Sequence, residues 1–151
     1  PLNTIEMAFS QARAFGAVSV LNPAPARELP KSLLSLADIV VPNETESAAI
    51  GGTTALMNLG VTTVVTTLGA DGATIEVGTN TTHIAPHKVT PVDTVGAGDA
   101  FIGATCAELS RGASIEDAAR IGAIAGALAT TVKGAVPSLP TRQAVLAAQK
   151  S

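Results

Sequence analysis

Two aspartates enclose a glycine-containing stretch near the middle of the sequence, Asp93-Thr94-Val95-Gly96-Ala97-Gly98-Asp99. No side chain between the two carboxylates is larger than valine, so the backbone can come close to a bound anion. Backbone N–H groups at a helix N-terminus are unpaired and carry partial positive charge, which favours phosphate. Asp99 would lie in the first helical turn and could take a proton from a nucleophile there. We interpret this stretch as a phosphoryl-transfer site.

A second polar group follows the short apolar run Ile39-Val40-Val41. Asn43 is a good N-cap residue, and Glu44 and Glu46 would lie in the first turn of the next helix. The ordinary interpretation is that these acids complement the helix dipole on an exposed turn. The functional alternative places Glu46 at the C-terminal edge of a parallel sheet, where it could reach a metal through water.

Two other patterns with possible chemistry are weaker. His83 and His87 have the spacing of metal ligands on a helix, but Pro86 and the strand-like context break that geometry. We therefore predict two partly exposed loop histidines without a metal. The central stretch is also not a dinucleotide fingerprint, because Phe101 stands at the place of the third glycine. It is not a Walker A loop, because no Gly-Lys-Ser/Thr follows.

Short apolar strands alternate with amphipathic helices along the chain, which predicts an α/β fold. A helix is predicted from Asn3 to Phe15, with Asn3 and Glu6 as a capping-box-like start. The other predicted helices cover residues 53–59, 99–111, 115–131 and 141–150, with one or two helical turns at 31–36. Ser114 is the predicted cap of the helix at 115–131, and Gly122 and Gly126 should allow that helix to pack very closely. The predicted strands are 17–21, 39–41 and 61–67, followed by a hairpin of 73–77 and 81–85. Residues 133–138 are predicted to be a loop.

Composition limits the classes of function. The 151 residues suit one domain, and a hydrophobic fraction of 46% is ample for a core. A net charge of −3, without Trp or Tyr, argues against a nucleic-acid partner. No apolar run is long enough to span a membrane. The single cysteine rules out an internal disulfide and suits a reducing compartment, so we expect a cytoplasmic protein.

The stretch from Asp93 to Phe101 resembles the C-terminal signature of the ribokinase-type (PfkB) carbohydrate kinases nearly letter for letter. Four further stretches follow the order of that family. Residues 22–30 resemble its ribokinase branch, 42–46 its Asn-x-x-Glu motif, 67–72 its nucleotide-binding turn, and 133–138 a segment of its monovalent-cation site. The resemblance covers essentially the whole chain.

This resemblance implies a ribokinase-like, three-layer α/β/α fold, with a mostly parallel sheet, a β-hairpin and helices on both faces. It also implies ATP-dependent phosphorylation of a sugar hydroxyl, with ribose converted to ribose 5-phosphate as the leading case. Asp99 would be the general base, and the amides of Gly96, Ala97, Gly98 and Asp99 would form the anion hole. ATP would be bound by Asn43, Thr67, Gly69, Ala70, Asp71, Gly72 and Gly98. Glu46 would hold Mg²⁺ through water, and K⁺ would be bound by Asp93, Val95, Ala129, Val132, Gly134 and Ser138.

The chain also departs from the family pattern. Family members are about twice as long, so we expect a C-terminal half whose sugar-binding and lid half is absent. Such a half should associate with copies of itself or with the missing half, or be only marginally stable, because its sheet edge and one apolar face are uncovered. Ala123 offers no polar group where relatives place Asn or His beside adenine. The alternatives are a nucleotide-binding fragment without activity, a kinase for another sugar (fructokinase-like) or for a nucleoside, and an α/β domain without a ligand.

Overall fold

The computed structural model describes residues 1–150, which fall into two compact units. The first unit contains Pro1–Leu68 and Thr74–Thr82, and the second contains Gly69–Ala73 and the chain from His83 onward. The expectation that they form one domain stays a prediction.

Five short strands form one sheet in the order β1 to β5: Val20–Leu21, Ile39–Val40, Thr63–Thr67, Ala73–Val77 and Asn80–Ile84. β1 pairs with β2 in parallel, and β2 pairs with β3 in parallel, with Val40 opposite Val64. A two-residue turn joins β4 to β5, the connection typical of an antiparallel hairpin. The predicted α/β class, with a mostly parallel sheet and a hairpin, is confirmed.

The first unit contains the helices α1 (Leu2–Ala14), α2 (Lys31–Leu34), α3 (Glu44–Ala49) and α4 (Gly52–Asn58). Its core joins the helices to the sheet, because the buried residues of both lie in one apolar cluster: Leu33, Leu34, Val40, Leu56 and Val64. Partly buried Leu2, Ile5 and Phe9 of α1 pack against this cluster. Removing such aliphatic side chains from water contributes about 1.5–3 kcal/mol each.

The predicted start of α1 is wrong. The helix begins at Leu2 with Pro1 at the N-cap, without a side-chain cap. Asn3 Oδ1 accepts a hydrogen bond from the Thr4 N–H, and the Glu6 carboxylate accepts one from the Ser32 hydroxyl of α2. Glu6 thus has a tertiary partner, and α1 has no side-chain cap.

The second unit contains α5 (Ala97–Leu109), α6 (Ile115–Ala129), α7 (Ala135–Ser138) and α8 (Arg142–Ala148). Ser114 caps α6, as the sequence predicts, and Thr141, predicted to open the last helix, is the N-cap of α8. The close packing predicted from the glycines of α6 is also confirmed, since a Cβ on Gly122 would lie 2.2 Å from Thr105 Oγ1 of α5. The loop predicted at 133–138 is corrected, because four of its residues form α7.

A search for helices that are long and apolar enough to cross a membrane found none in residues 1–150.

Candidate functional site

In the first unit, Asn43 and Glu46 form a reciprocal cap at the start of α3. The Glu46 N–H donates to Asn43 Oδ1 at 2.8 Å, and the Asn43 N–H donates to Glu46 Oε2 at 2.9 Å. The predicted helix start with Asn43 as its N-cap is therefore confirmed, but Glu46 is only 7% exposed, so it does not lie on the exposed turn of the ordinary interpretation. Within residues 1–150, Glu46 Oε1 accepts no hydrogen bond, so one carboxylate oxygen is left for a further ligand.

Thr67 lies beside this cap. The segment after β2 bridges in parallel to the end of β3 at the pair Asn43 and Thr67, and the Thr67 N–H donates to the Pro42 carbonyl at 2.9 Å. Both residues therefore stand where neighbouring parallel strands end. This is the sheet edge at which open α/β proteins bind their ligands.

In the second unit, the turn that follows β3 is a short 3-10 helix, Gly69–Asp71, closed by Gly72. Gly72 has φ +89°, and a Cβ there would lie 2.1 Å from the Ile84 carbonyl oxygen and 2.9 Å from Pro86 N. Glycine at this position is therefore required by the backbone itself, whether or not a ligand binds. At Gly69, by contrast, the φ is +57° and a Cβ would meet no atom within 4 Å.

The N-terminus of α5 offers unpaired donors next to open space. Gly96 is the N-cap with φ +82°, and the Ala97 N–H is already used by the Thr94 carbonyl at 3.2 Å. Among the described residues, the N–H groups of Gly98 and Asp99 find no acceptor. A Cβ on Gly98 would meet no atom within 4 Å. An anion can therefore approach these two amides, and the exposed Asp99 carboxylate lies in the same turn.

Asp93 fixes the loop that leads into α5. Its Oδ2 accepts the Gly134 N–H at 2.8 Å, and its Oδ1 accepts the Val95 N–H at 3.0 Å. These two hydrogen bonds, that of Gly134 foremost, lower the pKa of Asp93 below its ordinary value because they favour the charged form. The N–H groups of Val92 and Asp93 both donate to the Thr130 carbonyl. The loop is thus tied to the segment that follows α6.

Several oxygens in these segments are left without a donor. The carbonyls of Val95, Ala129 and Val132 accept no hydrogen bond from any residue in 1–150. The Gly134 carbonyl accepts the Ser138 N–H at 3.2 Å, and the Ser138 hydroxyl donates to the Ala135 carbonyl at 2.8 Å. Carbonyl, hydroxyl and carboxylate oxygens are ligands that a hard monovalent cation accepts. The residues proposed for K⁺ therefore fit it in chemical type.

A metal centre built from many acidic side chains is not seen in the described part of the chain. There, no three His, Cys, Asp or Glu side chains gather in one place. Mg²⁺ usually keeps several bound waters and is held by one or two carboxylates together with substrate phosphates. The single free carboxylate oxygen of Glu46 is therefore compatible with Mg²⁺ binding.

Sequence reasoning missed three contacts of these segments. A Cβ on Gly96 would lie 3.2 Å from Ala135 Cβ, and one on Gly126 would lie 3.0 Å from the Ala97 carbonyl oxygen. The small residues of α6 were a signal for the second contact, whereas nothing in the sequence marks Ala135. His83 lies in β5, within the strand predicted at 81–85, and the contact that was missed is that of its Nε2, which lies 2.9 Å from the Asp71 carbonyl oxygen.

Comparison with known proteins adds three findings. The model of the pfkB family carbohydrate kinases matches residues 1–142. Ribokinase of Staphylococcus aureus is 38% identical over 158 residues, which cover 96% of this chain and 52% of that protein. The solved structure of Arabidopsis thaliana ribokinase complexed with ribose and ATP has a TM-score of 0.92 at 28% identity, covering 100% of this chain and 53% of that one.

A second solved structure, a putative ribokinase II of E. coli in complex with ATP and Mg²⁺, has a TM-score of 0.83 at 25% identity. It is covered over 53% of its length, and 97% of this chain is aligned. The chain therefore spans about half the length of the relatives it matches.

Proposed function

Because the chain belongs to the pfkB family of carbohydrate kinases, we propose that it is the nucleotide-binding and catalytic half of an ATP-dependent sugar kinase. The likeness to solved ribokinases confirms the predicted ribokinase-like fold. The observation that carries the proposal is the start of α5, where the N–H groups of Gly98 and Asp99 are unpaired beneath open space and the Asp99 carboxylate lies in the same turn.

The proposed reaction is transfer of the γ-phosphoryl group of ATP to a sugar hydroxyl. Asp99 takes the hydroxyl proton as the sugar oxygen attacks phosphorus, and the bond to the bridging β–γ oxygen breaks to release ADP. The amides of Gly96, Gly98 and Asp99 stabilise the charge on the transferring group. The Ala97 N–H, engaged by Thr94, contributes least. Phosphoryl transfer needs this positioning and neutralisation more than covalent chemistry.

ATP is the proposed phosphoryl donor. Within the first unit, Asn43 and Thr67, at the ends of neighbouring strands, would face its phosphates. Within the second unit, the turn of Gly69, Ala70 and Asp71 would line the ATP cleft. Gly72 supports this turn through its backbone packing. Support for ATP comes from the two relatives whose solved structures contain it.

Two cations complete the proposal. Glu46 Oε1 would hold Mg²⁺ through water, and the ion would neutralise charge on the ATP phosphates. Asp93, Ser138 and the free carbonyls of Val95, Ala129 and Val132, with that of Gly134, would hold K⁺ behind the loop. That ion would add positive field beside the anion hole. The E. coli relative with ATP and Mg²⁺ supports the first cation, and the donor set alone supports the second.

Ribose is the proposed sugar, because the curated relatives include ribokinases and one solved relative contains ribose. A different sugar or a nucleoside is the alternative within the same chemistry. We also propose that the protein works in the cytoplasm, where the single cysteine stays reduced.

Association with a further polypeptide is the second part of the proposal. β1 lies at the edge of the sheet, and Phe15 and Val18 just before it are 85% and 66% exposed. An open strand edge beside apolar side chains favours pairing with another chain, either a second copy or the half that the relatives contain in addition. Size-exclusion chromatography with light scattering should show a complex larger than one chain. A stable, cooperative monomer would count against this.

A binding titration and an activity assay separate a kinase from a nucleotide-binding module. Calorimetry with ATP and Mg²⁺ should show binding, and a coupled assay should show ADP release that depends on ribose. Binding without ribose-dependent ADP release supports the module, whereas absence of binding refutes both. Replacing K⁺ by a bulky organic cation should weaken turnover if the K⁺ proposal is right.

A further inference from the structure

Two independent contacts hold the turn after β3 against the end of β5, within the second unit. The first is the close approach of Gly72, whose Cα has no room for a Cβ because the Ile84 carbonyl oxygen would lie 2.1 Å away. The second is the ring of His83, whose Nε2 lies 2.9 Å from the Asp71 carbonyl oxygen. The first contact comes from the backbone and cannot be varied without strain. The second comes from a side chain that can be replaced.

The chemistry of the second contact is specific. A backbone carbonyl only accepts hydrogen bonds, so Nε2 of His83 must carry the hydrogen. The neighbouring His87 makes no hydrogen bond with the described residues. Asp71 is exposed, and a Cβ added to Gly69 would meet no atom within 4 Å. The His83 ring is therefore the side chain that fixes the outer part of the turn.

The geometry points to His83 as a positioning residue for the nucleotide turn Gly69–Gly72. Its Nε2–H holds the Asp71 carbonyl, so that the amides of the turn keep one orientation. This inference rests on the proposed function, in which the same turn lines the ATP cleft. His83 itself touches no reacting atom. It acts by reducing the number of conformations that the turn must give up when ATP binds.

Three variants test this role. His83→Leu removes the donor, and His83→Gln replaces it, because the glutamine amide nitrogen can reach about as far as Nε2. His87→Leu is the matched control in the same segment. Calorimetry measures the dissociation constant for MgATP, and hydrogen exchange measures the amides of residues 70–72 without any ligand.

We expect His83→Leu to weaken MgATP binding by about two- to twelvefold, the effect of one neutral hydrogen bond. It should also speed exchange at 70–72 and leave the exchange of α6 unchanged. His83→Gln and His87→Leu should match the parent in both measurements. In an active preparation, His83→Leu should raise KM for ATP and leave kcat unchanged.

Unchanged exchange and affinity in His83→Leu would overturn the inference, as would a His83→Gln variant that behaves like leucine. A failure of the proposed function has a different signature. The parent chain itself would then not bind MgATP, while the exchange rates at 70–72 would still decide whether His83 holds the turn.

Discussion

Gly72 offers the sharpest separation of a structural role from a ligand-binding role. Its replacement by alanine adds one methyl group to a residue at φ +89°, a conformation that costs an L-residue about 1–2 kcal/mol. The new Cβ would lie 2.1 Å from the Ile84 carbonyl oxygen and 2.9 Å from Pro86 N. Both neighbours are backbone atoms, so neither can move by a simple rotamer change.

The structure sets the size of the effect. Relief of the overlap requires the turn and the end of β5 to separate, at an overpacking cost of about 1–3 kcal/mol. Together with the backbone strain, Gly72→Ala should destabilise the chain by about 2–5 kcal/mol. For a chain of this size, 1 kcal/mol corresponds to about 2–4 °C in Tm, so we expect a loss of at least about 4 °C.

Thermal unfolding followed by circular dichroism measures this loss, and Gly103→Ala is the matched control. Gly103 lies inside α5, and a Cβ there would meet no atom within 4 Å. Alanine should therefore raise stability by about 0.8–1.0 kcal/mol, the helix propensity difference. A Gly72→Ala variant with the parent's Tm would refute the close approach. A glycine at position 72 would then be explained only by its proposed contact with ATP.

The remaining predictions concern α5 and the loop before it. Gly98→Ala should leave Tm unchanged or raise it, as is expected for Gly103→Ala. It should nevertheless weaken MgATP binding at least about tenfold in calorimetry, because its Cβ enters the space above the free amides. Equal MgATP affinities of the Gly98→Ala and Gly103→Ala variants would contradict the proposed anion hole. Asp93→Asn should lower Tm at neutral pH, because the carboxylate that accepts the Gly134 and Val95 N–H groups is lost. The native pKa of Asp93 is lowered, so its stabilisation is complete above the ordinary value of 3.8 and disappears as pH falls through the native value. The Tm difference between the parent and Asp93→Asn should therefore shrink as the pH is lowered below 3.8. A Tm difference that does not depend on pH would contradict the stabilising role of the Asp93 carboxylate.

Local sequence patterns predicted the parts of the fold that local chemistry determines. Asn43 and Glu46 cap α3, Ser114 caps α6, and the β-branched run before Thr67 forms β3. Each of these depends on residues within a few positions of one another, so the sequence carries the signal.

Misses occurred where distant residues decide. Glu6 was expected to cap α1, but its carboxylate accepts a hydrogen bond from the hydroxyl of Ser32, 26 positions away. Val18 was expected in a buried strand and is 66% exposed, because β1 covers only Val20–Leu21 at the sheet edge. Residues 133–138 were expected to form a loop, yet 135–138 are helical, and Pro137 stands in the first turn of α7, where no N–H is needed for the helix.

The candidate site shows the same division. The helix start at Gly96 with free amides at Gly98 and Asp99 could be predicted from residue types, because a glycine-containing helix start is a local feature. The hydrogen bond from Gly134 to Asp93 spans 41 positions, and only the family resemblance grouped these residues in advance. The contact between His83 and Asp71 spans 12 positions across a hairpin, and no sequence pattern predicts it.

The most direct test of the central proposal is Asp99→Asn in the protein that carries this chain. Asp117→Asn is the control, because Asp117 is likewise an acid in the first turn of a helix, α6. Ribose-dependent ADP release should fall by about 10²–10⁴-fold in Asp99→Asn, while the dissociation constant for MgATP stays within about twofold of the parent. Asp117→Asn should be as active as the parent. Near-parental turnover in Asp99→Asn would contradict the assignment of Asp99 as the general base, and with it the proposed mechanism.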